Sequence, residues 1–158
     1  MTVHRIGVIS DTHGMLRPEA VAALAGVELI LHAGDVGAVE VLLDLQAVAP
    51  VLAVRGNVDQ GSWTNELPET QATQVGEVWI YMLHDVHRLD LDPAAGGFSA
   101  VISGHSHRAS ATTKAEVLYL NPGAAGPRRF TLPVTLALLE IEGKMIRPQL
   151  IELSQPGQ

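Results

Sequence analysis

The chain contains no cysteine, which excludes a disulfide framework and any thiolate metal site. A metal ion bound here must take oxygen and nitrogen donors. Basic residues are also scarce: ten Lys and Arg face seventeen Asp and Glu, for a net charge of −7. That balance argues against a general electrostatic grip on DNA, RNA or an anionic membrane surface. Any phosphate the protein handles therefore needs a local positive source, and bound divalent cations are such a source. Long apolar runs are missing as well. The N-terminal stretch from Met1 to Ser10 is interrupted by His4 and Arg5 and is too short for a signal peptide or a membrane span. A cytoplasmic protein with no membrane partner is expected. Internal repeats, low-complexity segments and linker-like stretches are absent too, and only Gln155 to Gln158 reads as a tail.

What is present is enough apolar material, 47% of residues, to build one core, and the 158-residue length suits a single domain over residues 1–158. Arg5 to Ser10, Glu28 to His32 and Val51 to Val54 are short β-branched or apolar runs. Helix-like stretches separate them, one from Pro18 to Gly26 and one from Val39 to Val48, which points to βαβ units. From Thr70 onward the pattern is strand-rich. Thr70 to Val75 and Glu77 to Leu83 predict a hairpin around Gly76, with further strands at Ala100 to Ser103, Glu116 to Leu120, Pro133 to Ile141 and Met145 to Glu152. The expected fold is α/β: a two-sheet β-sandwich flanked by helices.

Chemistry-bearing residues sit where these apolar runs end. Asp11 and His13 follow the first strand, two apart, so both side chains point one way if the backbone stays extended. Asp35 follows the second strand and Asn57 the third, each preceded by glycine. In an open α/β sheet, neighbouring parallel strands bring such residues to a common crevice. His84, His105 and His107 close two later runs. Taken singly, each has an ordinary reading: Asp-Thr-His-Gly as a turn or cap, Asp35 as a helix cap, Asn57 as a turn residue, and each histidine as a core or surface residue. Together they form a mixed oxygen and nitrogen donor set that suits manganese, iron, zinc, cobalt or nickel better than calcium.

In this order the motifs Asp-x-His, Gly-Asp, Gly-Asn-x-Asp, a lone His and Gly-His-x-His resemble the calcineurin-like metallophosphoesterases over Arg5 to about Pro127. The short length, Gly-Asn-Val-Asp and the Asn121-Pro122-Gly123 turn are similar to the small bacterial and archaeal phosphodiesterases of that superfamily. The resemblance implies two divalent transition-metal ions, with manganese expected first and nickel, iron, cobalt or zinc also fitting. One would be held by Asp11, His13, Asp35 and His107, the other by Asp35, Asn57, His84 and His105, with Asp35 bridging. It also implies that Asp35, Asn57 and His84 are catalytic and that a metal-bridging hydroxide attacks a small phosphodiester. Arg108, next to His107, is the expected substrate-binding residue, ahead of Arg128 and Arg129. Larger relatives carry histidine as a leaving-group acid where this chain has Val58; His87 is a stand-in to weigh, and Asp85 has an open role. A homodimer or homotetramer is expected. The competing expectation is a non-catalytic metal-binding interaction scaffold, since the superfamily includes a trafficking-complex subunit with this fold.

Overall fold

The computed structural model describes residues 2–153; the tail at Gln155 to Gln158 lies outside them. Two five-stranded sheets pack face to face. The first is built from β1 (Val3–Ile9), β2 (Leu29–His32), β3 (Val51–Ala53), β9 (Thr135–Glu142) and β10 (Met145–Glu152), in the order β10-β9-β1-β2-β3. The second contains β4 (Thr70–Val75), β5 (Val78–Leu83), β6 (Phe98–Ile102), β7 (Ser110–Lys114) and β8 (Val117–Asn121), in the order β4-β5-β6-β8-β7. Strands β1, β2 and β3 are parallel to one another, as are β5, β6 and β8. The hairpin expected around Gly76 is present, and a second joins β9 to β10 around Gly143, each turning at a positive-φ glycine.

Period-two alternation sorts the side chains between layers. From β1, Ile6 and Val8 enter the core between the sheets, where Leu31, Ile80, Met82, Ile102 and Leu120 meet them. Ile9, Ile30 and Leu136 face the other way, toward the two helices α1 (Pro18–Ala23) and α2 (Val39–Gln46), through Ala20, Leu24, Val41 and Leu45. Pro18 opens α1, as its fixed φ favours, and the chain turns away at Gly26 with φ +85°. Among the described residues the α-helical cover falls on the first sheet alone. The outer face of the second sheet, at Tyr81, Leu83, Val101 and Val117, packs instead against Val86 and Leu89 from the segment holding a short 3-10 turn, Val86–Arg88, and against Phe98 and Tyr119 of the sheet itself.

One strand was not visible in the sequence. Ser110–Lys114 is exposed at every position and pairs antiparallel with β8, so it carries no apolar signature. The candidate ligand motifs lie at the carboxyl ends of the parallel strands of both sheets, so the sandwich delivers six strand ends to one edge.

The approach of α1 to its sheet depends on Gly7. A Cβ there would run into Leu24 Cδ2, and Leu24 is fully buried. Gly7→Ala is expected to lower stability by about 1–3 kcal/mol through overpacking, read as a lower urea midpoint with an unchanged slope.

Candidate metal centre

Asp11, His13, Asp35, His84 and His107 converge at that edge. Asp11 is fully buried. Its Oδ2 accepts hydrogen bonds from Ser10 Oγ (2.6 Å) and the His105 N–H (3.1 Å). Its Oδ1 has no hydrogen-bond partner and faces Nε2 of His107 at 3.3 Å, of His13 at 3.7 Å and of His84 at 3.9 Å. Asp35 Oδ1 accepts the Val58 N–H at 2.9 Å, leaving Oδ2 turned toward His84 Nε2 (3.2 Å) and His13 Nε2 (3.7 Å). Two groups could each hold a cation: Asp11 with His13 and His107, and Asp11 with Asp35 and His84.

Polarity shows that these residues fit a metal. The Ala33 carbonyl lies 2.7 Å from His84 Nδ1, so Nδ1 carries the donated proton and the Nε2 lone pair points at two carboxylates. In the neutral ring two electron-rich atoms face each other in a buried place, an arrangement that either a proton on Nε2 or a metal ion relieves. His84 Nε2 and Asp11 Oδ1 are both buried without a partner. Burial opposes ionisation of Asp11, yet His107, His13, Ser10 and the charge of His84 outweigh it and hold the carboxyl far below the usual range. Asp35 is lowered likewise, against its burial, by His84 and the Val58 N–H. Burial disfavours the charged form of His84, but Asp35 and Asp11 more than offset it and raise its pKa.

The backbone here differs from the extended chain expected after β1. Asp11, His13, Asp35, His105 and His107 all have positive φ, between 46° and 72°, a region that costs a non-glycine residue roughly 1 kcal/mol or more. Asp11 and His13 reach one point through left-handed backbone, not through strand alternation. Hydrogen bonds hold the strained loops. The β1–β2 ladder continues past both strands through Asp11 N–H to Gly34 C=O (3.0 Å), His13 N–H to Asp35 C=O (3.0 Å) and Gly14 N–H to Val36 C=O (2.8 Å). Buried Asp59 accepts from Gly56 (2.9 Å), Gly37 (2.9 Å) and Val36 (3.3 Å), tying the third loop to the second. Asn121 Nδ2 donates to the Gly104 carbonyl (2.9 Å) and to Ser106 Oγ (3.1 Å), steadying the Gly104–His107 loop. Gly104 itself must lack a side chain, because a Cβ would strike Ser10 Oγ.

The remaining expected residues sit further out. The His105 ring lies 5.2 Å from that of His84, but its side chain is 42% exposed and its Nε2 is 3.9 Å from Asp85 Oδ2. Asn57 is exposed and lines, with His84, a cavity of about 470 Å³. Arg108 is exposed and lines neither this cavity nor a second one, about 530 Å³, beside His105. Arg128 and Arg129 are exposed, as is His87, which lines the second cavity. Sequence reasoning passed over His32, Arg55, Asp59 and Arg88. For Asp59 the signal was present as the last residue of Gly-Asn-Val-Asp.

Comparison with known proteins bears on the family and the fold. A family model described as the calcineurin-like phosphoesterase superfamily domain matches residues 5–144. A "probable metallophosphoesterase" of Methanothermobacter thermautotrophicus is 34% identical, over 96% of this chain and 94% of its own. A Methanocaldococcus jannaschii protein named as a phosphodiesterase is 26% identical, over 94% of this chain and 99% of its own. Among solved structures, Vacuolar Protein Sorting 29 from Cryptosporidium parvum matches with a TM-score of 0.78, covering 98% of this chain and 100% of that one. At 20% identity that likeness shows the fold alone.

His32 props the Gly34–Asp35 turn from below. Its Nδ1 accepts the Gly34 N–H (3.1 Å) and its Nε2 lies 3.0 Å from Thr12 Oγ1, whose own proton goes to the Val36 carbonyl (2.8 Å). Both ring nitrogens are used in the neutral form, and a second proton would collide with the Gly34 N–H. Burial pushes the pKa down to about 4, with Asp11 and Asp59 offsetting only part of that effect. The unfolded chain thus takes up the proton first, and stability is lost as pH falls from about 6.5 toward 4, by on the order of 3 kcal/mol. Nitrogen NMR of chelator-treated protein should show His32 as the Nε2–H tautomer at pH 5.5. A ring already protonated there would contradict this.

Proposed function

Because the chain belongs to the calcineurin-like phosphoesterase superfamily, we propose that it is a phosphodiesterase that uses two divalent metal ions to hydrolyse a small phosphodiester. The observation that supports this most is the pair of buried, unpartnered donor atoms, Asp11 Oδ1 and His84 Nε2, facing one another across the edge of the sandwich. We assign one ion to Asp11, His13, Asp35 and His107 and the other to Asp35, Asn57, His84 and His105, with Asp35 shared and manganese favoured over nickel, iron, cobalt or zinc. Ions held there supply a water acidic enough to act as nucleophile near neutral pH, and positive charge for the phosphoryl oxygens.

The chain's own residues set the conditions for that chemistry. The Ala33 carbonyl fixes the His84 tautomer and keeps its Nε2 free to bind a cation. The Val58 N–H orients Asp35. The catalytic roles assigned to Asp35, Asn57 and His84 are roles of holding and orienting, with no side-chain nucleophile. Val58, 47% exposed, offers no proton where larger relatives carry a histidine, so the reading favours esters with acidic leaving groups. Arg108 is assigned to the phosphate on the His107 side. A non-catalytic metal-binding scaffold would use the same donors; we adopt the hydrolase because relatives at 34% and 26% identity are named a probable metallophosphoesterase and a phosphodiesterase.

Chelator-stripped protein should not cleave bis(p-nitrophenyl) phosphate, and Mn, Ni, Co or Zn should restore cleavage, with the diester preferred over p-nitrophenyl phosphate. Asp35→Asn should lower kcat/KM by about 100-fold or more while circular dichroism and melting are unchanged; near-normal turnover would reject the assignment. The raised pKa of His84 gives a second expectation. As pH falls through that pKa a proton takes Nε2, so metal affinity should weaken from pH 8 to pH 6 with proton release on binding, measurable by calorimetry in buffers of different ionisation enthalpy. In His84→Gln that pH dependence should shrink.

A further inference from the structure

We propose that the cavity bordered by Asn57 and His84 is a subsite for a second anionic group on the substrate, a phosphate, held by Arg55 and Arg88. The inference rests on the reaction centre assigned above and names a substrate class for it: phosphodiesters that carry a further phosphate on one arm. The cavity, about 470 Å³, opens directly from the metal centre, since Asn57 and His84 line it. Its lining includes two exposed arginines from loops that follow strands of different sheets. Arg55 lies in the loop after β3, and Arg88 in the 3-10 turn after β5. Arginine presents a planar fork that matches phosphate oxygens.

Three carboxylates, Glu69, Asp85 and Asp90, share the wall, so the sign of the preferred ligand has to be argued. Among the described residues, no carboxylate oxygen lies within 4.0 Å of either guanidinium. The acids therefore do not neutralise the two arginines by direct pairing. Asp85 is already engaged, accepting the His87 N–H at 3.0 Å and lying 3.9 Å from His105. Arg55 is anchored by its Nε to the Asp59 carbonyl at 3.3 Å, which fixes the stem and leaves the terminal nitrogens for a ligand. The Arg55 N–H bonds the Pro68 carbonyl at 2.8 Å, holding the backbone as well. Thr70, also in the wall, adds a hydroxyl donor of the kind that phosphate oxygens accept. A phosphodiester centred on the metal site, with one arm in this cavity, would put its second phosphate against this pair.

The test compares thymidine 5′-(p-nitrophenyl phosphate) with the same compound carrying a 3′-phosphate, on Mn-supplied protein. The leaving group is identical, so only the distal phosphate differs. Wild type should show a KM about tenfold lower for the 3′-phosphorylated substrate. That ratio should collapse toward one in Arg55→Gln and in Arg88→Gln, but survive in Lys144→Gln/Arg147→Gln, which removes two exposed charges from the far-end hairpin. No advantage in wild type, equal loss in the hairpin control, or a preference for a cationic arm would overturn the proposal. Calorimetry with thymidine 3′,5′-bisphosphate against thymidine 5′-monophosphate separates the two levels. If neither ester is cleaved but the bisphosphate binds about tenfold more tightly through Arg55 and Arg88, the reaction assignment falls and the subsite stands. Equal binding of the two nucleotides overturns the subsite.

Discussion

Everything at the functional edge follows from the burial of one carboxylate. Asp11 is fully buried and ionised, with one oxygen satisfied by Ser10 and His105 and the other left unpartnered. A buried charge without compensation costs several kcal/mol, so the surroundings are organised around it. Histidine Nε2 atoms approach from three separate loops. The loop after β6 must pass close over Asp11 to donate the His105 N–H, and it does so because residue 104 is glycine. The apolar interface of Ile6, Val8, Ile80 and Ile102 brings the sheets together; the carboxylate decides what happens where that interface ends.

The second constraint is backbone strain. Five of the motif residues sit at positive φ, a conformation that persists only when neighbours over-determine it. Asp59 and Asn121 are those neighbours: each spans two loops with a single side chain. His32 does the same beneath the Gly34 turn, and its neutral form is part of the device. The side chains facing the candidate ions are therefore held in place before any ion arrives, which is the preorganisation a metal site needs from its outer partners.

How much of this could be read from the sequence depends on what each residue advertises. The strands were legible because Ile6 to Ile9, Leu29 to His32 and Trp79 to Leu83 are apolar runs ended by polar residues. Ser110 to Lys114 was not, because an exposed edge strand needs no apolar face. Convergence of Asp11 with His13 was anticipated from strand alternation; the chain reaches the same result by left-handed turns, which carry no periodic signal. Asp59 and His32 act through groups of loops distant in sequence; Asp59 is marked by its place in Gly-Asn-Val-Asp, whereas no spacing rule reveals His32. The arginines show the same limit. Arg108 drew notice because it adjoins His107, whereas Arg55 and Arg88 are the ones that line a cavity beside the cluster, and their common location is created by the packing of two sheets.

A protein of net charge −7 that acts on phosphate must reverse its own sign locally, and the choice of donors is how the proposed centre does so. Of the seven assigned ligands only Asp11 and Asp35 are carboxylates; Asn57 and the four histidines bring no negative charge. Two dications against two carboxylates leave the cluster positive, where a carboxylate-rich set would have cancelled it and forfeited the attraction. That positive field is short-ranged, since salt screens charges beyond about 8 Å, and outside it the acidic surface repels an approaching polyanion. With the proposed ions bound, a small diester would enter the positive zone without spanning the negative one, whereas a long nucleic acid would have to cross it. In the proposed mechanism the same donor set that activates water would thereby limit the size of the substrate, making surface charge and ligand chemistry two halves of one selection.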